Sequence, residues 1–118
     1  IDVVGHPTGR MLGRRRAYEV DLEAVIDAAA RCGVALEINA YPDRLDLKDS
    51  HARLAAERGV AMVIDTDSHA ISHLRNLERG VDVARRAWLE PRHLLNTLGF
   101  AELMSYRAAR RARPGRRA

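Results

Sequence analysis

The chain predicts an α/β fold: part of a parallel β/α barrel, followed by extra helices at its C-terminal end. Three short apolar, strand-like runs, at residues 1–5, 34–39 and 60–64, are separated by stretches of helical periodicity. That alternation is the mark of parallel strands joined by crossover helices. The metal-ligand residue types fall just beyond the ends of those runs: His6 after the first, and Asp67 and His69 after the third, with Asn39 ending the second. In parallel α/β folds the residues past the carboxyl ends of the strands share one rim, and sites are built there. Three strands cannot close a barrel, which takes about seven or eight, so most of the sheet is expected to lie outside this sequence.

Residues 1–5 read as a buried strand, and His6-Pro7-Thr8-Gly9-Arg10 as its exit loop, because Pro7 biases His6 away from helical geometry. The basic run Arg14-Arg15-Arg16 continues that loop. Asp21 is a suitable N-cap; Leu22, Val25, Ile26, Ala29 and Ala30 then recur at helical spacing, and Gly33 stops the helix. That apolar face should lie against the sheet. In the strand 34–39, Leu36 and Ile38 alternate with Glu37 and Asn39, so one set faces the covering helices and the other the interior. Pro42 and Asp43 give turn chemistry to the loop 40–47, and a helix from about Asp49 to Arg58 is ended by Gly59. After the strand 60–64 and its exit loop 65–69, helix is expected over 71–79, ended by Gly80, and over 82–89, 91–98 and 100–110. Trp88 and Phe100 are expected in the core or packed under these last helices.

The chain is 118 residues long, enough for one modest domain. It enters a strand at Ile1 without an initiator methionine, signal peptide or transit segment, and is expected to be a piece of a longer protein cut inside a domain. No run of 18 or more apolar residues occurs, so no membrane span is expected. Cys32 is the single cysteine, which excludes an intrachain disulfide and fits a reducing, cytoplasmic setting. It is expected as a small core or helix-end residue rather than a reactive thiol. The net charge of +4 and the pI near 10 suit a phosphate-bearing or nucleic-acid partner. Much of the excess lies in residues 107–118, a basic tail that is expected to be disordered beyond a domain of residues 1–106. Arginine grips phosphate bidentately; an arginine- and alanine-rich composition of the genome would give the same bias.

Asp67-Ser68-His69 is the sharpest motif. In a nearly extended segment residues i and i+2 point to the same side, so Asp67 and His69 can face one site. Carboxylate oxygen with imidazole nitrogen suits zinc, manganese or iron. Asp65, two residues earlier, adds negative charge and can orient a ligand. Taken alone, Asp-x-His fits a solvated turn equally well, and His6 an ordinary loop residue; their shared rim is what connects them. His51, His73 and His93 read as helical surface or partly buried residues. Arg10, Arg14, Arg15 and Arg16 lie on the rim side, where positive charge would position a phosphoester, although an exposed charged loop is the plainer alternative.

A run of motifs resembles a known family. These are the segment His6-Pro7-Thr8-Gly9-Arg10-Met11-Leu12-Gly13-Arg14-Arg15; Leu36-Glu37-Ile38-Asn39-Ala40 with Pro42 and Arg44-Leu45-Asp46-Leu47; Ile64-Asp65-Thr66-Asp67-Ser68-His69; Gly80-Val81 with Ala84-Arg85-Arg86 and Trp88-Leu89; and Leu95-Asn96-Thr97. In order and spacing, over about residues 1–104, they resemble the C-terminal part of the polymerase-and-histidinol-phosphatase (PHP) domain of bacterial family X DNA polymerases. The resemblance implies a distorted seven-stranded β/α barrel holding a trinuclear metal cluster, of manganese, zinc or iron, that hydrolyses phosphodiesters as a 3′–5′ exonuclease on DNA. It implies an upstream polymerase module in the same protein, used in gap-filling repair. It assigns His6, Asp67 and His69 as metal ligands, with Asp67 and His69 acting in catalysis through metal-bound water; Glu37 and Asn39 line the site. Arg10 and Arg14 are the expected phosphate contacts.

Three positions depart from the family pattern. Tyr41 and Asp65 stand where asparagine is expected, and Ala87 replaces a glycine. The family's earlier ligands, including a His-x-His motif, do not occur in this sequence. The piece alone is therefore expected to bind metal weakly and to turn nothing over. A stand-alone phosphoesterase of the histidinol phosphatase type, and a structural scaffold with a decayed site, are the alternative readings.

Overall fold

A computed structural model describes residues 1–112. Three parallel strands, β1 (Val3–Val4), β2 (Ala35–Asn39) and β3 (Met62–Asp65), form one sheet in the order β1-β2-β3. Val4 pairs with Leu36, and Asn39 with Asp65. Helix α1 (Leu22–Cys32) connects β1 to β2, and α2 (Asp49–Glu57) connects β2 to β3. A 3-10 turn (Ile71–Asn76) leads into α3 (Leu77–Arg86), two more follow at Pro91–His93 and Leu95–Thr97, and α4 (Phe100–Arg111) comes last. The α/β class and parallel sheet are as expected; the described residues form three strands, not a closed barrel.

The period of two along β2 sorts the residues as predicted. Leu36, Ile38, Met62 and Ile64 form the core with Ile26 and Ala29 of α1, Ala52 and Ala55 of α2, and Val83 and Ala84 of α3. Glu37 and Asn39 are left to the opposite face. The α1 boundaries follow the predicted chemistry: the Asp21 side chain accepts the Ala24 N–H at 3.0 Å, and Gly33 takes the left-handed conformation, φ 62°.

Gly80 does not end a helix; it lies inside α3. A Cβ there would sit 2.3 Å from Ile64 Cγ2 and 2.9 Å from the Ala40 Cβ. The glycine lets α3 press against the sheet, and helix propensity yields to that packing. Gly80→Ala should therefore destabilise the protein. Overpacking costs about 1–3 kcal/mol, more than the ~1 kcal/mol that alanine gains over glycine in a helix. A urea midpoint equal to or above that of the unaltered protein would contradict this close approach.

Trp88 and Phe100 are not core residues; they are 79% and 81% exposed. Ala87, almost fully buried, takes the inward position after α3, and Trp88 follows with φ 59°, which turns the chain outward. Phe100 opens α4 on its solvent side. Cys32 is exposed at the end of α1.

Helix α4 runs to Arg111, into the segment expected as a tail; residues 113–118 lie outside those described. Its arginines turn back on the start of β1. Arg110 donates to the Ile1 carbonyl at 2.6 Å and pairs with Asp2, while Arg107 and Arg111 lie 3.2 and 3.5 Å from Asp2 Oδ2. At the other margin of the sheet, Leu94 bridges to Met62. The Asn96 side chain accepts the Ile64 N–H at 2.8 Å and donates to the Ile64 carbonyl at 2.9 Å. One amide thus takes the place of a neighbouring strand's backbone. Among the described residues no helix is long and apolar enough to cross a membrane.

Candidate metal and phosphate site

The carboxyl ends of all three strands open onto one rim, and the structure brings His6 and Asp67 together there. His6 Nε2 lies 3.8 Å from Asp67 Oδ2. Both residues are left-handed, with φ 47° and 49°. Such backbone strain is uncommon outside glycine and gathers at functional sites. Glu37 holds the other side of His6: its Oε2 accepts the His6 N–H at 2.5 Å and lies 3.6 Å from the ring Nδ1.

Asn39, fully buried, is the hub. Its Nδ2 is 3.3 Å from His6 Nδ1, 3.4 Å from Glu37 Oε1 and 3.2 Å from Asp67 Oδ2. An amide nitrogen has two hydrogens for these three partners, so the cluster holds more acceptor capacity than the chain satisfies. Its Oδ1 accepts the Tyr41 N–H at 3.0 Å, which orients the amide. Burial, and then the neighbouring Asp65, push the Glu37 carboxyl up to about 8. Asp65 Oδ1 is itself buried without a hydrogen-bond partner. A carboxyl that burial keeps from ionising, beside a second acidic side chain, is what a cation would relieve.

His69 lies on the same exit loop, and its ring Nδ1 is 2.7 Å from the Asp67 carbonyl. A ring nitrogen tied to a carbonyl fixes the imidazole and leaves Nε2 as the ligating atom, the usual arrangement around bound metal. Among the described residues no group of three or more His, Cys, Asp or Glu side chains is gathered to hold a metal ion. The donor types suit a divalent cation, but the set is incomplete.

The arginines divide between two tasks. Arg10 donates from Nε to the Arg44 carbonyl at 2.9 Å and from Nη2 to the Leu45 carbonyl, so it ties its own loop to the one after β2. Arg14 is exposed at the tip of a tight turn closed by Met11 and Arg15. Arg15 donates to the Gly9 carbonyl and lies over the Tyr18 ring.

Two residues of the site escaped the sequence reading. Arg44 Nε is 3.5 Å from Asp67 Oδ2, and its Nη1 is buried with no hydrogen-bond partner. His73 Nδ1 accepts the His69 N–H at 3.2 Å, and the Tyr41 ring packs edge-on against it at 5.4 Å. The i+4 spacing of His69 and His73 was the available signal for the second. Arg44 stands in a motif that carries the family resemblance, but no periodicity gave it a role, because its loop folds back onto the rim.

No family model matches the chain. It is 42% identical, over 90% of its length, to the DNA polymerase/3′–5′ exonuclease PolX of Bacillus subtilis, of which it spans 19%. It is also 33% identical, over 93% of its length, to a probable phosphatase of Shewanella sp. strain MR-4, spanning 43% of that protein. A probable phosphatase of Shewanella oneidensis is 34% identical over 70% of the chain, which covers 33% of it. The chain thus spans less than half the length of each of these relatives. Motifs and relatives agree: the chain is similar to a part of a family X DNA polymerase and to a part of phosphatase-named proteins, the similarity that a PHP-domain fragment would have.

Proposed function

We propose that this chain forms the C-terminal part of a PHP barrel that, in the intact protein, cleaves phosphodiester bonds of DNA as a metal-dependent 3′–5′ exonuclease beside a polymerase module. One observation carries the reading. His6 and Asp67, from opposite ends of the sequence's three-strand unit, meet on one rim in strained conformations, with Glu37 and Asn39 beneath them. The kinship to PolX points the same way.

Asp67, His6 and His69 would hold divalent cations of manganese, zinc or iron, completed by ligands from the rest of the barrel. Such cations supply an acidified water and neutralise charge on the phosphoryl oxygens. The chain's own residues do the remainder. Asn39 orients both His6 and Asp67 through one amide. The Asp67 carbonyl sets the ring of His69, and His73 holds its backbone N–H. Arg44 stands beside Asp67 and offsets its charge. Arg14 reaches outward from its turn, and Arg10 keeps donors beyond the two it gives to carbonyls.

The test is to incubate the intact protein with 5′-labelled DNA and manganese. Stepwise shortening from the 3′ end is expected, abolished by a chelator. An unshortened strand would reject the reading. The phosphatase relatives support a second one, hydrolysis of small phosphate monoesters. Release of phosphate from a monoester with no action on DNA would select it.

A further inference from the structure

We propose that Asp46 is a positioning residue for the metal-ligating loop, acting through the backbone that carries His6. The proposal rests on the hydrolase reading above for its catalytic consequence, and on geometry alone for the contact itself.

Asp46 is fully buried, as few carboxylates are unless they are engaged. Its Oδ2 accepts two consecutive amides, the N–H groups of Thr8 and Gly9, each at 3.0 Å. Those amides belong to the turn that begins at His6, closed by Gly9 N–H donating to the His6 carbonyl at 3.0 Å. Successive amides around one carboxylate make a strong, charge-assisted contact. Asp46 is fixed in turn by its own backbone, which exchanges hydrogen bonds with Asn39 at 2.6 and 3.2 Å. Asn39 is the residue whose side chain reaches His6 and Asp67. Arg10 fastens the same two loops from the other side, through the carbonyls of Arg44 and Leu45. A third bond runs from Leu12 N–H to the Asp43 carbonyl at 2.6 Å.

The result is a clasp between the loop after β1 and the loop after β2. It holds His6 at a backbone angle that an unsupported histidine rarely adopts. Without the carboxylate, the buried Thr8 amide loses its partner and the Gly9 N–H keeps only the His6 carbonyl, so the turn is free to relax to negative φ. Asp46 itself touches none of the reacting atoms; it sets where the imidazole stands.

The experiment uses Asp46→Asn in the intact protein, metal-free and loaded. In the metal-free protein, amide hydrogen exchange at residues 6–10 should quicken at least ~10-fold, because the opening no longer breaks charge-assisted bonds. Manganese binding, followed by the spin resonance of the free ion, should weaken ~10–100-fold, as for supporting residues around metal ligands. The manganese concentration that half-saturates hydrolysis should rise to match. A mere loss of folded protein would lower the rate at every manganese concentration without moving that midpoint. Unchanged exchange at residues 6–10, or unchanged manganese affinity, overturns the proposal. If Asp46→Asn does not fold, Arg10→Met opens the clasp from the other side, and unchanged exchange there overturns it equally. Asp67→Ala is run in parallel: hydrolysis that survives that change rejects the hydrolase reading itself, while the metal-free exchange result still decides the role of Asp46.

Discussion

Asp67→Ala should lower metal-dependent hydrolysis by the intact protein by ~100-fold or more, since even residues that only support a ligand are worth about 10–100-fold. The carboxylate has three neighbours at once. It faces the His6 imidazole at 3.8 Å, accepts from Asn39 at 3.2 Å and lies 3.5 Å from Arg44 Nε. Its removal takes an anionic donor from the proposed metal site and leaves Arg44 without its counter-charge. Stability should change little by comparison, because the side chain is partly exposed and serves no core contact. The measurement is the initial rate of release from the 3′ end at saturating manganese, paired with the unfolding midpoint. An undiminished rate would remove Asp67 from the site. Loss of rate with a collapsed midpoint would instead make it a structural residue.

Ile38→Ala should give the largest loss of stability, about 2–5 kcal/mol. Ile38 is fully buried at the middle strand of the sheet, among the core residues contributed by α1, α2 and α3. Ile38 is paired to Ile64 of β3, and its strand is held on the other side by β1 at Ala35 and Leu36, so the cavity cannot collapse easily, and the cost should fall in the upper part of that range. Its neighbours in sequence are Glu37 and Asn39, so the same change should loosen the rim and reduce activity even in the fraction that folds. Chemical denaturation of the intact protein reads the first effect. A loss below ~1 kcal/mol would mean that the core around β2 is not packed as described.

The sheet and the meeting of His6 with Asp67 were legible because both follow from local pattern. Apolar runs of strand length placed β2 and β3, alternation placed Glu37 and Asn39 on the site face, and strand ends placed His6 and Asp67 on one rim. Asp21 and Gly33 bounded α1 by chemistry confined to a few residues. What the sequence hid depends on contacts between distant segments. Gly80 reads as a helix stop until Ile64 and Ala40 are seen pressed against it. Trp88 reads as core by its size, but Ala87 occupies the inward position. Arg10 reads as a phosphate contact, yet two of its nitrogens meet carbonyls of a loop more than thirty positions away. Arg44 and Asp46, in that loop, gave no periodic or spacing signal at all.

The two margins of the sheet are not alike. Beyond β3, the amide of Asn96 saturates Ile64, and Leu94 guards Met62. Beyond β1, Val3 is exposed and Ile1 more so, and the sheet order gives that strand no second neighbour among the described residues. Free strand margins template the addition of further chains. This one is blunted by the two-residue length of β1 and by Arg110 of α4 on the Ile1 carbonyl, so Arg110→Ala should make the protein self-associate.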